Sequence, residues 1–361
     1  MFMRVPRACT LESMQPFQET ACRDTACRRT AARLHAISGL SLSEGAPLRL
    51  YTRFGIGGPA RYFVEASTED AFAEALRAIR QAGCAHVVIG GGTNLIVSDR
   101  GFDGFVLRFT AAGIEQAGVR LRAAAGGDLQ ALVDYSIAHG LRGLETMTGI
   151  PGTVGGAIYG NAGAYGRAIC ESVRRVRVFD GAAVRTLGNA ECRFRYRESI
   201  FKRTSAKGPT AGGSWVVLSA ELALEPAPAE ELARVADEIL TVRNRKYPPT
   251  MRCAGSIFKN LLFDDLAESA RARVPANVVR EGKVPAAWFL EQAGAKGLRR
   301  GDIQVADYHA NLIYNAGAGT AADVREVIRD LKSRVLDMFG LELEEEVQYI
   351  GFGEAIARES A

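Results

Sequence analysis

Five short runs hold the residue types that do chemistry. Residues 146–166 read TMTGIPGTVGGAIYGNAGAYG, with seven glycines from Gly149 to Gly166 and no charged residue. Glycine lets another group approach the backbone closely. A run this dense is a poor helix, because each interior glycine costs about 1 kcal/mol relative to alanine. Gly152, Gly156 and Gly160 have the spacing of a membrane-helix packing face, but Pro151, Asn161 and the lack of bulky apolar residues oppose insertion. Ile150, Val154, Ile158, Tyr159 and Tyr165 are too apolar for a solvated linker. The run reads as a buried, non-helical segment shaped against a large flat or phosphorylated ligand. The second run is Gly90-Gly91-Gly92-Thr93-Asn94, between His86–Ile89 and Leu95–Val97. It lacks the Gly-Lys-Ser/Thr of a P-loop and opens no helix as a dinucleotide fingerprint does. Two readings stay open: a nest of N–H groups for an anion, or a tight hairpin.

The other three runs are charged. Residues 194–202 (FRYRESIFK) place Arg197 beside Tyr196, residues 253–260 (CAGSIFKN) carry Ser256, Lys259 and Asn260, and residues 343–351 (LEEEVQYIG) carry three acids ending at Glu346. Each alone also fits a bland role: a cationic strand edge, a turn serine, a solvated acidic run.

Composition excludes several classes. A net charge of +4 from 45 basic and 41 acidic residues is too mild for a nucleic-acid or membrane-surface protein. Seven cysteines without a CxxC pair argue against a disulfide framework or zinc site, so reduced cysteines in a cytoplasmic protein are expected. The four histidines form no local metal motif, and no metal is expected. Residues 1–36 have no apolar h-region and are expected to be a disordered extension.

The positioning elements follow from periodicity. Helices are predicted over 68–82, capped by Thr68 with Phe72, Leu76 and Ile79 on one face, and over 128–139, capped by Asp128. Strands are predicted at 86–89, 95–97, 101–108, 119–123, 173–179 and 215–224. Pro226 and Pro228 mark a boundary, followed by a helix over 230–245. A final helix over 320–339 starts at a Thr320/Asp323 capping box and carries Val324, Val327, Ile328, Leu331, Val335 and Met338 at helical spacing.

Taken together the runs are specific. The chain resembles the UDP-N-acetylenolpyruvoylglucosamine reductases through TRFGIGGPA (52–60), VIGGGTNLIVSD (88–99), residues 149–166, YRESIFK (196–202), GSIFKN (255–260), HANLIYN (309–315) and the run ending at Glu346. These motifs span roughly residues 48–351 in family order. The resemblance implies an α+β fold: a PCMH-type (vanillyl-alcohol-oxidase-like) FAD-binding domain over 37–225, a smaller α+β substrate-binding domain over 226–347, and a C-terminal segment 348–361.

It also implies non-covalent FAD as cofactor, NADPH as hydride donor and UDP-N-acetylglucosamine enolpyruvate as substrate, in peptidoglycan precursor synthesis. No nucleic-acid partner and no membrane insertion are expected, and a monomer is. Thr52, Gly57, Gly58, Gly90, Gly91, Gly92, Thr93, Asn94, Gly149, Ile150, Pro151, Gly152, Thr153, Gly155 and Gly156 match the family's flavin cradle. Arg197 matches the cation that polarises the substrate carboxylate, Ser256 the proton donor, and Glu346 the acidic partner. Tyr165, Tyr196, Lys246, Lys259 and Asn260 match positions that hold the substrate.

Some text departs from the family. Glu345 stands where the family usually has proline before Glu-Val, residues 261–283 look like an insertion, and residues 203–214 lack the tyrosine of the loop-bearing subtype. Another flavin oxidase on the same fold would explain the glycines but not Arg197, Ser256 and Glu346 together. A flavin or UDP-sugar binding protein without turnover would need none of those three.

Overall fold

The computed structural model describes residues 15–205 and 215–353. The expected helices and strands form with ends shifted by one or two residues. Glu69–Gln81 is a helix whose cap Thr68 accepts from Ala71 N, and it buries Phe72, Leu76 and Ile79. Leu129–Ala138 is capped by Asp128, which accepts from Ala131 N. Ala321–Phe339 has the expected Thr320/Asp323 capping box and ends at Gly340 in the left-handed region. Its apolar stripe is buried except at Met338, which is 43% exposed.

Among the described residues the first half is built on two larger sheets, beside short two-stranded pairs. One has the order Leu40–Pro47, Pro59–Ala66, Phe102–Phe109, His86–Ile89. Its first pair is antiparallel and the rest parallel. The other is antiparallel, in the order Val184–Gly188, Val173–Phe179, Val216–Ala223, Arg120–Ala124, Ile114–Ala117. One core joins both sheets to the helices Glu69–Gln81 and Leu129–Ala138, with Phe72, Leu76, Phe105, Leu132, Val176 and Leu218 fully buried. Completely burying one such side chain contributes about 1.5–3 kcal/mol. The second half builds an antiparallel sheet in the order Cys253–Ser256, His309–Asn315, Ile303–Ala306, Arg299–Arg300. Its core takes in Ala321–Phe339 and also Phe54, Ile56 and Ile96 of the first half.

The chain then returns. Gln348–Ile350 pairs parallel with Leu95–Val97, setting Gln348 against Leu95 and Ile350 against Val97. A second tie runs the other way, because Asp99 accepts from Ala321 N (2.9 Å) and Ala322 N (3.2 Å) at the start of the last helix. That position suits a carboxylate, since the first N–H groups of a helix have no partner within it.

Four expectations are corrected. The extension to residue 36 is not disordered throughout, because Gln15–Leu34 is a helix and Ala31 and Leu34 are buried. Residues 1–14 lie outside the described residues, as does most of 203–214, the segment whose lack of tyrosine assigns the loop-lacking subtype. The cysteines are not all reduced, because Cys27 and Cys84 form a disulfide that ties this helix to the end of Glu69–Gln81. Two scattered cysteines gave no spacing signal for that contact. The dense glycine run is partly helical, at Val154–Tyr159, where Thr153 accepts from Gly156 N as cap. Six residues are a short enough helix for tertiary contacts to override propensity. The hairpin reading of 90–94 fails, because the flanking strands His86–Ile89 and Leu95–Val97 enter different sheets.

Asp99→Ala should lower stability by about 1–2 kcal/mol, the usual cost of losing a helix cap. Chemical denaturation followed by circular dichroism would read it, and an unchanged midpoint would show that the carboxylate ties nothing.

Candidate active site

The two glycine segments meet backbone to backbone. A Cβ on Gly91 would lie 3.1 Å from Gly152 Cα, one on Gly90 would lie 2.8 Å from Thr153 Oγ1, and one on Gly152 would lie 3.0 Å from Thr93 Oγ1. Thr93 Oγ1 donates to Pro151 O at 3.2 Å. Gly92, with φ +64°, leaves no room for a side chain, since a Cβ there would overlap Tyr51 O. Gly155 likewise packs on Ala125, and its N–H is spent on Ala125 O. Gly149 N donates to Gln130 Oε1, and Ile150 N to Met147 O. By contrast, among the described residues no carbonyl accepts from the N–H groups of Gly90, Gly91, Gly92, Thr93 or Asn94. Successive free N–H groups in a glycine turn make an anion-binding concavity.

Thr52, Gly57 and Gly58 stand behind this loop. Thr52 Oγ1 closes a turn onto Ile56 O (2.8 Å), and Gly58 N donates to Ser98 O (2.9 Å). Arg53 N donates to Gly92 O at 3.0 Å, so the turn props the loop from outside.

The charged runs converge through the returning chain. Asn94 of the glycine loop donates from Nδ2 to Glu346 O (2.9 Å) and accepts at its own carbonyl from Gln348 N (3.1 Å). Glu346 N donates to Ile257 O at 2.7 Å, next to Ser256. The three adjacent acids then part company. Glu344 pairs with Lys259, Glu345 with Lys332 and Tyr349, and Glu346 with Arg197. Register therefore selects Glu346 as the acid that meets Arg197. Arg197 Nε lies 2.8 Å from Glu346 Oε1. Its N–H is misdirected, so the contact is an ion pair and not a hydrogen bond. Arg197 Nη2 donates to Gly163 O at 3.1 Å.

Local strain holds this arrangement. Arg197 sits at φ +55°, Asn161 at +45° and Tyr165 at +51°, three non-glycine residues in the left-handed region. Such residues cost of order 1–3 kcal/mol each and persist where surrounding structure over-determines them. Asn161 is buried, donates to Arg195 O (2.9 Å) and accepts from Cys170 N (3.3 Å). Ser199 Oγ donates to Tyr159 O at 2.6 Å, locking the Arg197 run onto the glycine helix.

Ser256 ends the strand Cys253–Ser256, with its Oγ 2.9 Å from Tyr247 OH. Tyr196 OH accepts from Asn260 N (3.3 Å), and Asn260 Oδ1 accepts from Ala286 N (3.2 Å). Tyr165 is 50% exposed at the rim. Residues 261–283 supply another part of that rim, where Lys283 Nζ stands 4.8 Å from the Tyr196 ring centre. The expected substrate residue Lys259 is committed elsewhere. The residue is 7% exposed, and its ammonium is held by Glu198 (2.9 Å) and by Glu344.

The cleft is cationic. Arg243 Nε is buried with no hydrogen-bond partner among the described residues. Burial pulls the Arg243 pKa below the usual arginine value, with Arg53 and Arg197 adding repulsion against the opposing Tyr247 and Tyr165. Lys246 is exposed at the helix end; the crowding of protein around it, then the charges of Arg243 and Arg280, lower its pKa. Burial, then Lys246 and Lys296, pull the His309 pKa down to about 3, so its imidazole is neutral at pH 7. Uncompensated positive charge of this kind calls for an anionic ligand. Sequence reasoning missed Arg243, Tyr247, Asn161 and Asp99. Each is ordinary in its own segment and becomes specific only through a contact distant in sequence.

A model of an FAD binding domain matches residues 60–186. A model described as UDP-N-acetylenolpyruvoylglucosamine reductase, C-terminal domain, matches residues 247–350. The chain is similar to the UDP-N-acetylenolpyruvoylglucosamine reductase of Solibacter usitatus, 58% identical over 319 residues, covering 88% of this chain and 100% of that protein. The chain belongs to that family. The enzyme of the same name from Rubrobacter xylanophilus is 37% identical over 308 residues, covering 84% of this chain and 94% of its own. A solved structure of the Thermus caldophilus reductase superposes with a TM-score of 0.65 at 30% identity, covering 86% of this chain and 99% of the other.

The Lys259 cluster generates a pH prediction. Burial pushes the Glu198 carboxyl up, but the hydrogen bond from Lys259 and the charge of Lys202 outweigh it and hold its pKa below the ordinary 4.5. A depressed carboxylate contributes stability that is present above its unfolded pKa and lost as pH falls through the folded one. Glu198→Gln should therefore lower stability near pH 7 and flatten its decline below pH 4.5. Denaturation midpoints taken across acidic pH check this, and parallel curves for the two proteins would refute it.

Proposed function

We propose that this protein reduces UDP-N-acetylglucosamine enolpyruvate to UDP-N-acetylmuramate with NADPH, in the cytoplasm and as a monomer, at the cleft between the glycine cradle and Ser256. We assign residues 37–225 to the FAD-binding domain, 226–347 to the substrate domain and 348–361 to a C-terminal segment. The observation that carries the reading is the convergence on Glu346, whose carbonyl accepts from Asn94 of the free N–H loop, whose carboxylate meets Arg197 and whose N–H donates to Ile257 O beside Ser256.

The residues present fit FAD. The free N–H groups of residues 90–94 suit its pyrophosphate, and the close packing of Gly91 on Gly152 sets the two glycine segments side by side as one cradle. When bound, FAD supplies hydride transfer from NADPH to the vinyl carbon of the substrate. The chain's own residues do the remaining work. Arg197 offers a planar fork to the substrate carboxylate, which a lysine could not match. Charge developing on that carboxylate and its neighbouring carbon meets preorganised donors, often the largest catalytic contribution. Glu346 does not repel the carboxylate unaided, because Arg197 stands against it at 2.8 Å and serves as the bridge. Ser256 delivers a proton to the neighbouring carbon. Arg243 and Lys246 receive the diphosphate, and Tyr196, Asn260 and Tyr165 border the sugar. Lys259 acts from behind, holding Glu198 and Glu344 and so the register of the Glu346 run.

The test is NADPH oxidation by the purified flavoprotein without oxygen, with and without the enolpyruvyl sugar. Oxidation beyond one equivalent of flavin only with the sugar supports the reading. Flavin that NADPH bleaches and the sugar cannot restore would refute it. Within that assay, Ser256→Ala should leave the NADPH half-reaction intact and slow reoxidation by about 10²–10⁴-fold, the usual worth of positioned proton transfer. Equal slowing of both halves would remove Ser256 from the proton-donor role.

A further inference from the structure

Serine is a weak acid and, once it gives up its proton, a strong base that must be recharged. The structure supplies a group for this. Tyr247 follows the helix Ala229–Lys246, and its hydroxyl is 2.9 Å from Ser256 Oγ. Its ring is fixed on several sides. The Arg243 guanidinium carbon lies 5.5 Å from the ring centre, Lys246 Nζ lies 5.2 Å from it, and the His309 ring packs edge-on at 6.1 Å. Its backbone N–H is tied to Arg243 O at 2.6 Å.

We propose that Tyr247 is a positioning residue that acts through Ser256, orienting the serine hydroxyl and returning its proton as it is transferred. This inference rests on the reductase reading. In one concerted event the Ser256 Oγ–H bond breaks as a C–H bond forms on the substrate, and the Tyr247 O–H bond breaks as the serine O–H reforms. The phenolate then takes a proton from water, so no oxidant or reductant is consumed. The transfer from tyrosine to serine runs downhill, because a phenol of ordinary pKa about 10 is a far stronger acid than an aliphatic alcohol.

The surroundings suit both states of the tyrosine. Burial raises the Tyr247 pKa, while the bond to Ser256 and the charge of Arg243 oppose the rise and Cys253 and Glu346 add to it. The phenol therefore rests protonated at pH 7, ready to donate. During recharging, Arg243 and Lys246 stand over the ring as counter-charges to the transient phenolate. His309 is neutral and does not compete for the proton.

Tyr247→Phe removes the hydroxyl and keeps the ring contacts. In anaerobic stopped flow, flavin reduction by NADPH should match the wild type, while reoxidation by the enolpyruvyl sugar slows by about 10–100-fold. The proton inventory of reoxidation in mixed H2O and D2O should fall from two protons to one. A second readout needs no turnover: in protein labelled with [ζ-13C]tyrosine, Ser256→Ala should move the Tyr247 resonance and its titration. Wild-type reoxidation in Tyr247→Phe with an unchanged inventory would overturn the relay, as would a Tyr247 resonance indifferent to Ser256→Ala. A wild-type protein that the sugar cannot reoxidise would instead overturn the underlying reductase reading, and the relay with it.

Discussion

The site depends on one clamp. Asn94 closes the glycine loop and holds the returning chain by two bonds, one from its side chain to Glu346 O and one from Gln348 N to its carbonyl. The parallel pairing of Gln348–Ile350 with Leu95–Val97 extends the clamp by three residues. A strand register is quantised, and a slip of one residue turns every side chain to the other face. Here a slip would bring Glu345 or Val347 toward Arg197 in place of Glu346. The flavin half of the molecule thus sets the position of a residue contributed by the other half.

The remaining polar groups respond to that geometry. Glu344 and Glu345 are neutralised by Lys259 and Lys332, so only Glu346 of the three meets Arg197. Among the described residues no acid pairs with Arg243 or Lys246 in this way, and the cleft keeps positive charge for an anionic ligand. Part of the energetic cost is visible in the backbone, where Asn161, Tyr165 and Arg197 occupy the left-handed region. The cost is borne by burial elsewhere, in a core that runs unbroken from the helix Gln15–Leu34 to the strand Val216–Ala223.

Much of this is legible in the sequence. Amphipathic periodicity located the helices, because their burial follows a local rule, and Thr68, Asp128 and Thr320 cap where expected. The glycine runs and the Arg197, Ser256 and Glu346 runs stood out by composition, and the family resemblance ordered them. What stayed hidden was non-local. Nothing in residues 15–34 announces a helix packed on Glu69–Gln81, and Cys27 and Cys84 are 57 residues apart. Val154–Tyr159 coils despite its glycines because its cap and its packing on Ala125 override intrinsic preference. Lys259 sits in a matching motif, yet its ammonium is turned to Glu198 and Glu344, which no spacing rule foresees.

The most direct test is Asn94→Ala, read by FAD affinity and by the rate of flavin reoxidation with the enolpyruvyl sugar in the same preparation. If one residue joins cradle and chemistry, both should fall together: the one hydrogen bond lost, from Asn94 Nδ2 to Glu346 O, is worth about 1 kcal/mol, or roughly fivefold, and reoxidation should stay slow even at saturating FAD. A variant that binds FAD as tightly as the wild type and turns over normally would contradict the clamp and the coupling of the two halves through it.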